Sequence, residues 1–303
     1  MSKEIYLYTA GLFWSEKAKS VLKRLLNRQL RGPRAVQDSL FEGLRELDRS
    51  FLLNFKLRHF VDSVGVLSNA RTLAWVLQQK SKGLIGKVIA GPNLVVTPKD
   101  EGGVLESPLI DKIIVPSRWV KDYYEKISPG LENKIFIWPA GVLAPSQNRA
   151  NKVYDFFIYN KLRENELPEK IMEELRAGGF KVGNIEYGKF KQADYFKILE
   201  QSKFLIYLSK SESQGLAMFE AWARNVPTLI WDRGFFEKAG VKITGFAASP
   251  FLDPSAGMRF KDFQEFKDIL SEFMQTNFEP RQYVLLNFSH KICAQKYLDI
   301  VNA

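Results

Sequence analysis

Short apolar runs alternate along this chain with segments in which apolar residues recur at helical spacing. The runs predict strands at residues 4–8, 63–67, 87–90, 113–115 and 134–137. The helical spacing predicts helices at residues 16–30, 70–79 and 289–301 and a short helix around Lys121. Strands that alternate with helices favour parallel sheets, so we predict an α/β protein with open, Rossmann-like sheets.

The clearest β-loop-α-β pattern lies in the last third of the chain. Residues 204–208 form an apolar run of strand length, and a polar turn follows them. Residues 216–224 have helical spacing, and Asn225 is a candidate left-handed residue at the end of this helix. Pro227 stops the helix before a second apolar strand at 228–231.

The loop and helix of this unit offer groups that suit a nucleotide sugar. The first turn of a helix has N–H groups without intrahelical acceptors, so Gly215, Leu216 and Ala217 are candidate phosphate ligands. Glu220, about one turn into the helix, is positioned to accept two ribose hydroxyls, and Glu212 would reach the other end of the ligand. The alternative is a pair of solvated glutamates, because seven intervening residues are a common spacing in a Glu-rich chain.

This stretch resembles the E-x7-E region of GT-B glycosyltransferases, especially glycosyltransferase family 4. Residues 111–120 and 134–142 resemble the segment at the end of that family's N-terminal domain. Residues 154–163 resemble the first strand and phosphate-binding turn of its C-terminal domain, and 185–199 the strand and helix before the motif. The detailed resemblance covers residues 111–232, and the rest of the chain agrees by architecture.

The resemblance implies a GT-B fold, in which two Rossmann-like domains with parallel sheets face a central cleft. The polar segment 142–152 lacks strand or helix patterning and is the candidate linker. We therefore predict an acceptor domain at residues 1–145 and a nucleotide-sugar donor domain at 146–280. The helix at 281–303 is predicted to cross back onto the first domain.

The resemblance also implies a glycosyltransferase of the hexosyltransferase type. It would transfer a sugar from a nucleoside-diphosphate sugar to a lipid-linked or polysaccharide acceptor. Glu212 is the candidate group for the donor sugar and Glu220 for the ribose. Lys161 stands where the family often has an arginine against the diphosphate, and Arg163 is a candidate second cation because its guanidinium suits phosphate oxygens. Glu212, Lys161 and Arg163 are the candidate catalytic residues.

Cations at the diphosphate would stabilise the charge of the leaving group without a metal ion. The sequence has no DxD motif in a strand context, so we expect no metal and no other cofactor. The N-terminal half offers no clear general base, and retaining enzymes of family 4 need none of the inverting type. Retention of configuration is therefore the expected outcome.

Loops that follow the predicted N-terminal strands would line the same cleft, because ligands bind at the carboxyl ends of parallel strands. Gly11 follows the first strand, where the family has a glycine-containing loop that faces the phosphates. Asn69 and Asn93 follow later strands and are candidate ligands for sugar hydroxyls. An ordinary turn at Gly11 and helix capping by Asn69 are the alternatives.

The motif departs from the family in one respect that opens a second interpretation. The family typically has Glu-Gly-Phe-Gly, whereas this chain has Glu-Ser-Gln-Gly at residues 212–215. Loss of the first glycine and of the aromatic residue changes the backbone geometry that the loop can adopt. A catalytically silent homologue that binds a nucleotide sugar or a glycan is therefore an alternative.

The net charge of +10 is concentrated at the start of the chain. The first sixty residues hold twelve Lys and Arg against six Asp and Glu. Basic residues mark one side of the predicted helix at 16–30, which predicts contact with an anionic membrane surface; a solvated helix face is the alternative. Nucleic acid is not an expected partner, because no nucleic-acid motif accompanies the charge, although a transferase that modifies nucleic acid remains an alternative.

Composition and cysteine usage indicate a reducing cellular compartment. Cys293 is the single cysteine, so the chain has no intrachain disulfide. The N-terminal residues lack the pattern of a signal peptide, and no apolar run reaches the roughly 18 residues of a spanning helix. We expect a soluble cytoplasmic protein that binds peripherally at the inner face of the membrane.

Overall fold

A computed structural model describes residues 4–10, 12, 31–146, 151–162, 166–188 and 190–303 of this 303-residue chain. The described residues divide into two compact units. The first unit holds the residues up to Gly141 and is completed by His290–Ala303, while the second holds Val142–Ser289. Each unit is built on its own parallel sheet, so the predicted α/β class with two Rossmann-like sheets is confirmed.

The sheet of the first unit has six parallel strands. They are β1 (Ile5–Tyr8), β2 (Phe51–Leu53), β3 (Val61–Ser68), β4 (Ile85–Asn93), β5 (Lys112–Val115) and β6 (Ile135–Ile137). Their spatial order is β2-β1-β3-β4-β5-β6, so the chain reverses direction across the sheet between β1 and β3. Open parallel sheets bind ligands at the carboxyl end of such a switch point.

Four long helices accompany this sheet in the described residues, together with shorter helical turns. The helices are Arg31–Glu46, Ala70–Ser81, Arg118–Ile127 and His290–Asn302, and the turns are Asp100–Gly103, Val104–Glu106 and Pro129–Lys134. The helix predicted at 16–30 lies outside the described residues.

The last helix of the chain belongs to the first unit because it packs on the helix Arg31–Glu46. Gly43 permits this approach, since a Cβ there would lie 2.1 Å from the carbonyl oxygen of His290. Trp138 adds a buried hydrogen bond of 2.7 Å from its indole N–H to the carbonyl oxygen of Cys293. The crossing segment was predicted at 281–303, and the helix of the first unit begins at His290.

The second unit has a five-stranded parallel sheet and a small antiparallel hairpin. The sheet strands are β7 (Tyr154–Asn160), β8 (Val182–Glu186), β9 (Ser202–Leu208), β10 (Thr228–Trp231) and β13 (Gly257–Phe260), and the hairpin strands are β11 (Phe235–Lys238) and β12 (Val241–Thr244). The spatial order is β13-β10-β9-β7-β8, so the switch point of this sheet lies between β7 and β9.

The helices of the second unit cover both faces of its sheet. They are Leu167–Ala177, Gln192–Glu200, Leu216–Ala223, Phe263–Gln275 and Pro280–Asn287. One core layer combines aromatic and aliphatic residues, and Phe156, Phe266 and Phe273 are fully buried in it. The helix Pro280–Asn287 packs on the helix Leu216–Ala223.

Among the helices of the described residues, none combines the length and the apolar character needed to cross a bilayer. The assignment of acceptor binding to residues 1–145 and donor binding to 146–280 stays a prediction.

Candidate functional site at the switch point of the second sheet

The candidate site lies where β7 and β9 end side by side. The backbone N–H of Lys161, directly after β7, donates a hydrogen bond of 2.8 Å to the carbonyl oxygen of Leu208 at the end of β9. The loop that leaves β9 therefore starts next to Lys161. This is the position at which a doubly wound sheet binds its ligand.

The β-loop-α-β unit that the sequence predicted is present. The strand Ser202–Leu208 leads through a polar loop to the helix Leu216–Ala223, and the next strand is Thr228–Trp231. Gly215 precedes the helix with φ of +88°, and Asn225 follows it with φ of +59°. Both residues adopt the left-handed conformation that glycine and asparagine tolerate best, which sets the sharp turns into and out of the helix.

Contacts with Lys161, Tyr207 and Ala247 hold Glu212 within the described part of the second unit. Its Oε1 atom accepts a bond of 2.5 Å from the ammonium of Lys161 and one of 2.8 Å from the hydroxyl of Tyr207. Its backbone N–H donates to the carbonyl oxygen of Ala247 at 2.8 Å. The side chains of Lys161 and Glu212 are 24% and 11% exposed, so the ion pair is only partly screened by solvent.

Aromatic rings lie next to this ion pair. Tyr159 and Tyr207 stack with centroids 5.0 Å apart and planes within 8°. The Lys161 ammonium lies 4.6 Å from the centroid of Tyr187, whose ring is half exposed. Tyr207 and Tyr187 could not be predicted as site residues from the sequence, because tyrosines in a mostly apolar strand pattern are ordinarily core residues.

The amino end of the helix Leu216–Ala223 faces the same edge of the sheet. Leu216 and Ala217 are its first residues, so their N–H groups have no acceptor inside the helix. The buried Tyr195 hydroxyl donates to the Ala217 carbonyl oxygen at 2.6 Å and ties this end to the preceding helix. The first turn thus presents donors and the positive end of the helix dipole, which suit an anion.

Glu220 lies on the second turn of that helix. Its Oε1 atom accepts a hydrogen bond of 2.9 Å from the side-chain amide of Gln192. Burial raises the pKa of the Tyr195 phenol well above its usual value, and the charges of Glu220 and Glu212 add to this effect. The Tyr195 phenol therefore lies within electrostatic reach of both carboxylates, and the structure brings Glu212, Glu220, Lys161 and residues 215–217 to one edge.

The buried carboxylate of Asp232 stabilises the segment that contacts the loop of Glu212. Asp232 Oδ2 accepts bonds from the N–H of Ala248 at 3.0 Å, and from the N–H and hydroxyl of Ser249 at 2.9 and 2.7 Å. Its Oδ1 accepts from the N–H of Gly234 at 3.0 Å. These bonds fix the segment whose Ala247 carbonyl holds Glu212.

Two predicted residues meet at the carboxyl edge of the first unit's own sheet. The N–H of Asn69 donates to the carbonyl oxygen of Asn93 at 3.4 Å, and the Asn93 amide donates to the carbonyl oxygen of Pro33 at 3.4 Å. Asn69 Oδ1 also accepts the N–H of Thr72 at 3.0 Å and caps the helix Ala70–Ser81. The alternative prediction that Asn69 caps a helix is therefore confirmed. A contact of either asparagine with a sugar stays a prediction.

Two further predicted residues, Gly11 and Arg163, lie outside the described residues. In the part of the chain that the structure describes, no three His, Cys, Asp or Glu side chains are grouped as metal ligands.

No protein-family model matches the sequence, and no curated protein matches it. The fold, in contrast, matches solved structures. A lipopolysaccharide outer core galactosyltransferase, WaaB in its apo form, matches with a TM-score of 0.62 at 9% identity over 99% of both chains. A GtfA/B complex matches with a TM-score of 0.52 at 14% identity, over 81% of this chain and 57% of that chain. At such identities the likeness is one of fold: this chain has the GT-B fold, which it shares with the galactosyltransferase WaaB.

Proposed function

We propose that this protein is a glycosyltransferase that moves a sugar from a nucleoside-diphosphate sugar to a lipid-linked or polysaccharide acceptor. The observation that carries the proposal is the cluster in the second unit, where the Lys161–Glu212 ion pair adjoins a helix amino end. Glu220 follows one turn later on the same helix. WaaB has the same fold and is a galactosyltransferase, which supports the enzyme class.

Each part of a nucleotide sugar has a counterpart in this cluster. In our proposal Glu220 accepts the ribose hydroxyls, and the N–H groups of residues 215–217 bind the diphosphate. Glu212 accepts hydroxyls of the donor sugar. Because Lys161 touches Glu212, the diphosphate and the sugar would meet between these two side chains, and the bond between them is the one that must break.

The chemistry follows from that position. The bond from the anomeric carbon to the diphosphate oxygen breaks, and its electron pair stays on the diphosphate. The Lys161 ammonium and the helix amino end stabilise the new negative charge, so the proposed reaction needs no metal or other cofactor. A hydroxyl of the acceptor forms the new bond to the anomeric carbon, and its proton passes to the departing diphosphate oxygen. We propose retention of configuration, as expected from the sequence.

The acceptor and the cellular location form the outer part of the proposal. Gly11, Asn69 and Asn93 are proposed ligands of sugar or phosphate groups, as the sequence predicts. The excess of basic residues, +10 over the chain, supports a cytoplasmic enzyme at an anionic membrane surface. Nucleic acid is not part of this proposal.

A donor screen tests the proposal. Thermal shift with UDP, GDP, ADP, CMP and dTDP sugars should identify the donor, because a ligand in about hundredfold excess over its Kd adds about 2.7 kcal/mol of stability. Turnover of that donor, with lipid and glycan acceptors and without them, should then fall in Glu212→Ala and Lys161→Met. Glu169→Ala and Lys170→Met are matched controls, since both side chains lie exposed on the helix Leu167–Ala177.

The outcomes separate three functions. Turnover that depends on Glu212 supports the transferase. Tight donor binding without turnover would instead indicate the catalytically silent homologue. The altered loop at 212–215 is the reason for considering this alternative. Steeply salt-dependent binding of DNA, with no affinity for any nucleotide sugar, would indicate a protein that acts on nucleic acid.

A further inference from the structure

We propose that Tyr207 is a positioning residue that holds the Glu212 carboxylate in place when a nucleotide sugar takes Lys161 away from it. The inference rests on the proposed roles of Glu212 and Lys161. It is carried by the contrast between the two hydrogen-bond donors that share the Glu212 Oε1 atom.

The Tyr207 ring is fixed by its surroundings. It is 1% exposed and lies in the middle strand of the sheet, in register with Tyr159 on one side and Ile230 on the other. The stack with Tyr159 closes one face of the ring. The hydroxyl can therefore reach few positions, and in the structure it lies 2.8 Å from Glu212 Oε1.

The Tyr207 hydroxyl can act only as the donor of this bond. Burial, together with the charge of Glu212, raises the pKa of the Tyr207 phenol well above its usual value, so the phenol keeps its proton. An ionised carboxylate has acceptors only.

Lys161, in contrast to the rigid Tyr207, is a flexible donor. Its ammonium ends a flexible four-carbon stem, is 24% exposed, and touches the open face of the half-exposed Tyr187 ring. A diphosphate at the adjoining helix end would draw this ammonium toward its own oxygens. Tyr207 would then be the rigid donor that keeps Glu212 aimed at the sugar.

The test compares two ligands on the full-length protein. Tyr207→Phe removes one hydroxyl and keeps the ring. We expect its affinity for the nucleoside diphosphate to equal that of the wild type, because that ligand lacks the sugar. Its affinity for the nucleotide sugar should fall about tenfold, the usual cost of a hydrogen bond to a charged group.

Tyr283→Phe is the matched control. It removes a phenol hydrogen bond of 2.9 Å to the carbonyl oxygen of Phe251 in the same unit, at a place that the proposal does not use. Its affinities for the nucleoside diphosphate and for the nucleotide sugar should both match those of the wild type. A purely structural role for Tyr207 would make the two variants alike.

A double-mutant cycle keeps the inference falsifiable if Tyr207→Phe is also less stable. In a Glu212→Ala background, which removes the acceptor of the Tyr207 hydroxyl, Tyr207→Phe should cost no further sugar affinity, whereas additive losses would overturn the inference. Equal affinities of Tyr207→Phe and the wild type for the nucleotide sugar would overturn it as well, and would leave the proposed function standing. A wild-type protein that binds no nucleotide sugar would overturn both.

Discussion

The side-chain amide of Gln192 donates a hydrogen bond of 2.9 Å to the carboxylate of Glu220. The two residues come from different helices, since Gln192 begins Gln192–Glu200 and Glu220 lies within Leu216–Ala223. A carboxylate offers about four acceptor sites, so Glu220 can keep this bond and accept hydroxyls of a ribose. The carboxylate is thus oriented before any ligand binds.

Glu220→Ala should abolish the preference for a ribose over a deoxyribose. We expect the wild type to bind the ribonucleoside diphosphate about tenfold more tightly than its 2′-deoxy analogue, because a hydroxyl–carboxylate bond is lost with the latter. In Glu220→Ala the two affinities should converge. Titration calorimetry measures both, with Gln192→Ala as a control that keeps the carboxylate. A variant that still prefers the ribose would contradict the assignment.

Gly215→Ala should destabilise the fold and weaken diphosphate binding. Alanine at a φ of +88° costs about 1–2 kcal/mol, and the added Cβ would lie 2.1 Å from the terminal methyl of Met218, which must move. Gly240→Ala in the hairpin turn is the control, because Gly240 has a φ of +75° with open space around it. Both variants should lose stability in chemical denaturation, but only Gly215→Ala should lose affinity. Equal binding by the two would argue against a phosphate site here.

Asp232→Asn should lower both stability and donor affinity. The carboxamide cannot accept all the bonds that Asp232 makes to Gly234, Ala248 and Ser249, so we expect a loss of about 2–4 kcal/mol. The displaced segment includes Ala247, which anchors the Glu212 backbone. Asp253→Asn, which alters a turn with two bonds from Ser255, is the matched control. Unchanged nucleotide-sugar affinity in Asp232→Asn would separate this network from the site.

His290 should make the stability of the protein fall in mild acid. Burial lowers the pKa of His290, and the nearby Glu46 and Glu42 only partly oppose this. The unfolded chain, with a pKa of about 6.5, then binds a proton more readily than the folded protein. The contribution of His290 to the free energy of unfolding is fully present above about pH 6.5. It is lost as the pH falls toward the lowered pKa of His290.

His290→Gln should therefore flatten the dependence of the unfolding free energy on pH below about 6.5. His59→Gln is the control, because His59 is exposed. Denaturant titrations at several pH values measure the slope. An identical slope in wild type and His290→Gln would assign the acid sensitivity to other groups.

The elements of the site were predictable from the sequence because their signals are local. Apolar runs, Gly215, Asn225 and Pro227 mark every boundary between Ser202 and Trp231, and the structure follows them within two residues. Glycine, asparagine and proline act through their own backbone geometry, which no distant residue overrides.

The contacts within the site could not be predicted, because they join residues far apart in sequence. Lys161 meets Glu212 across fifty-one positions, and Gln192 meets Glu220 across twenty-eight. The helix Arg31–Glu46 was missed although Val36, Leu40 and Leu44 recur at every fourth position and are buried. A glycine and a proline at its start obscured that spacing.

The discontinuity of the first unit has a consequence for how the protein is made. Val142–Ser289 is continuous in the chain, so this unit can fold as soon as it has left the ribosome. The first unit must wait for His290–Asn302, and until then Gly43 lacks its neighbouring helix and the Trp138 indole lacks its acceptor on Cys293. Of these two units, the one whose first residues leave the ribosome earlier is therefore the one that is completed later.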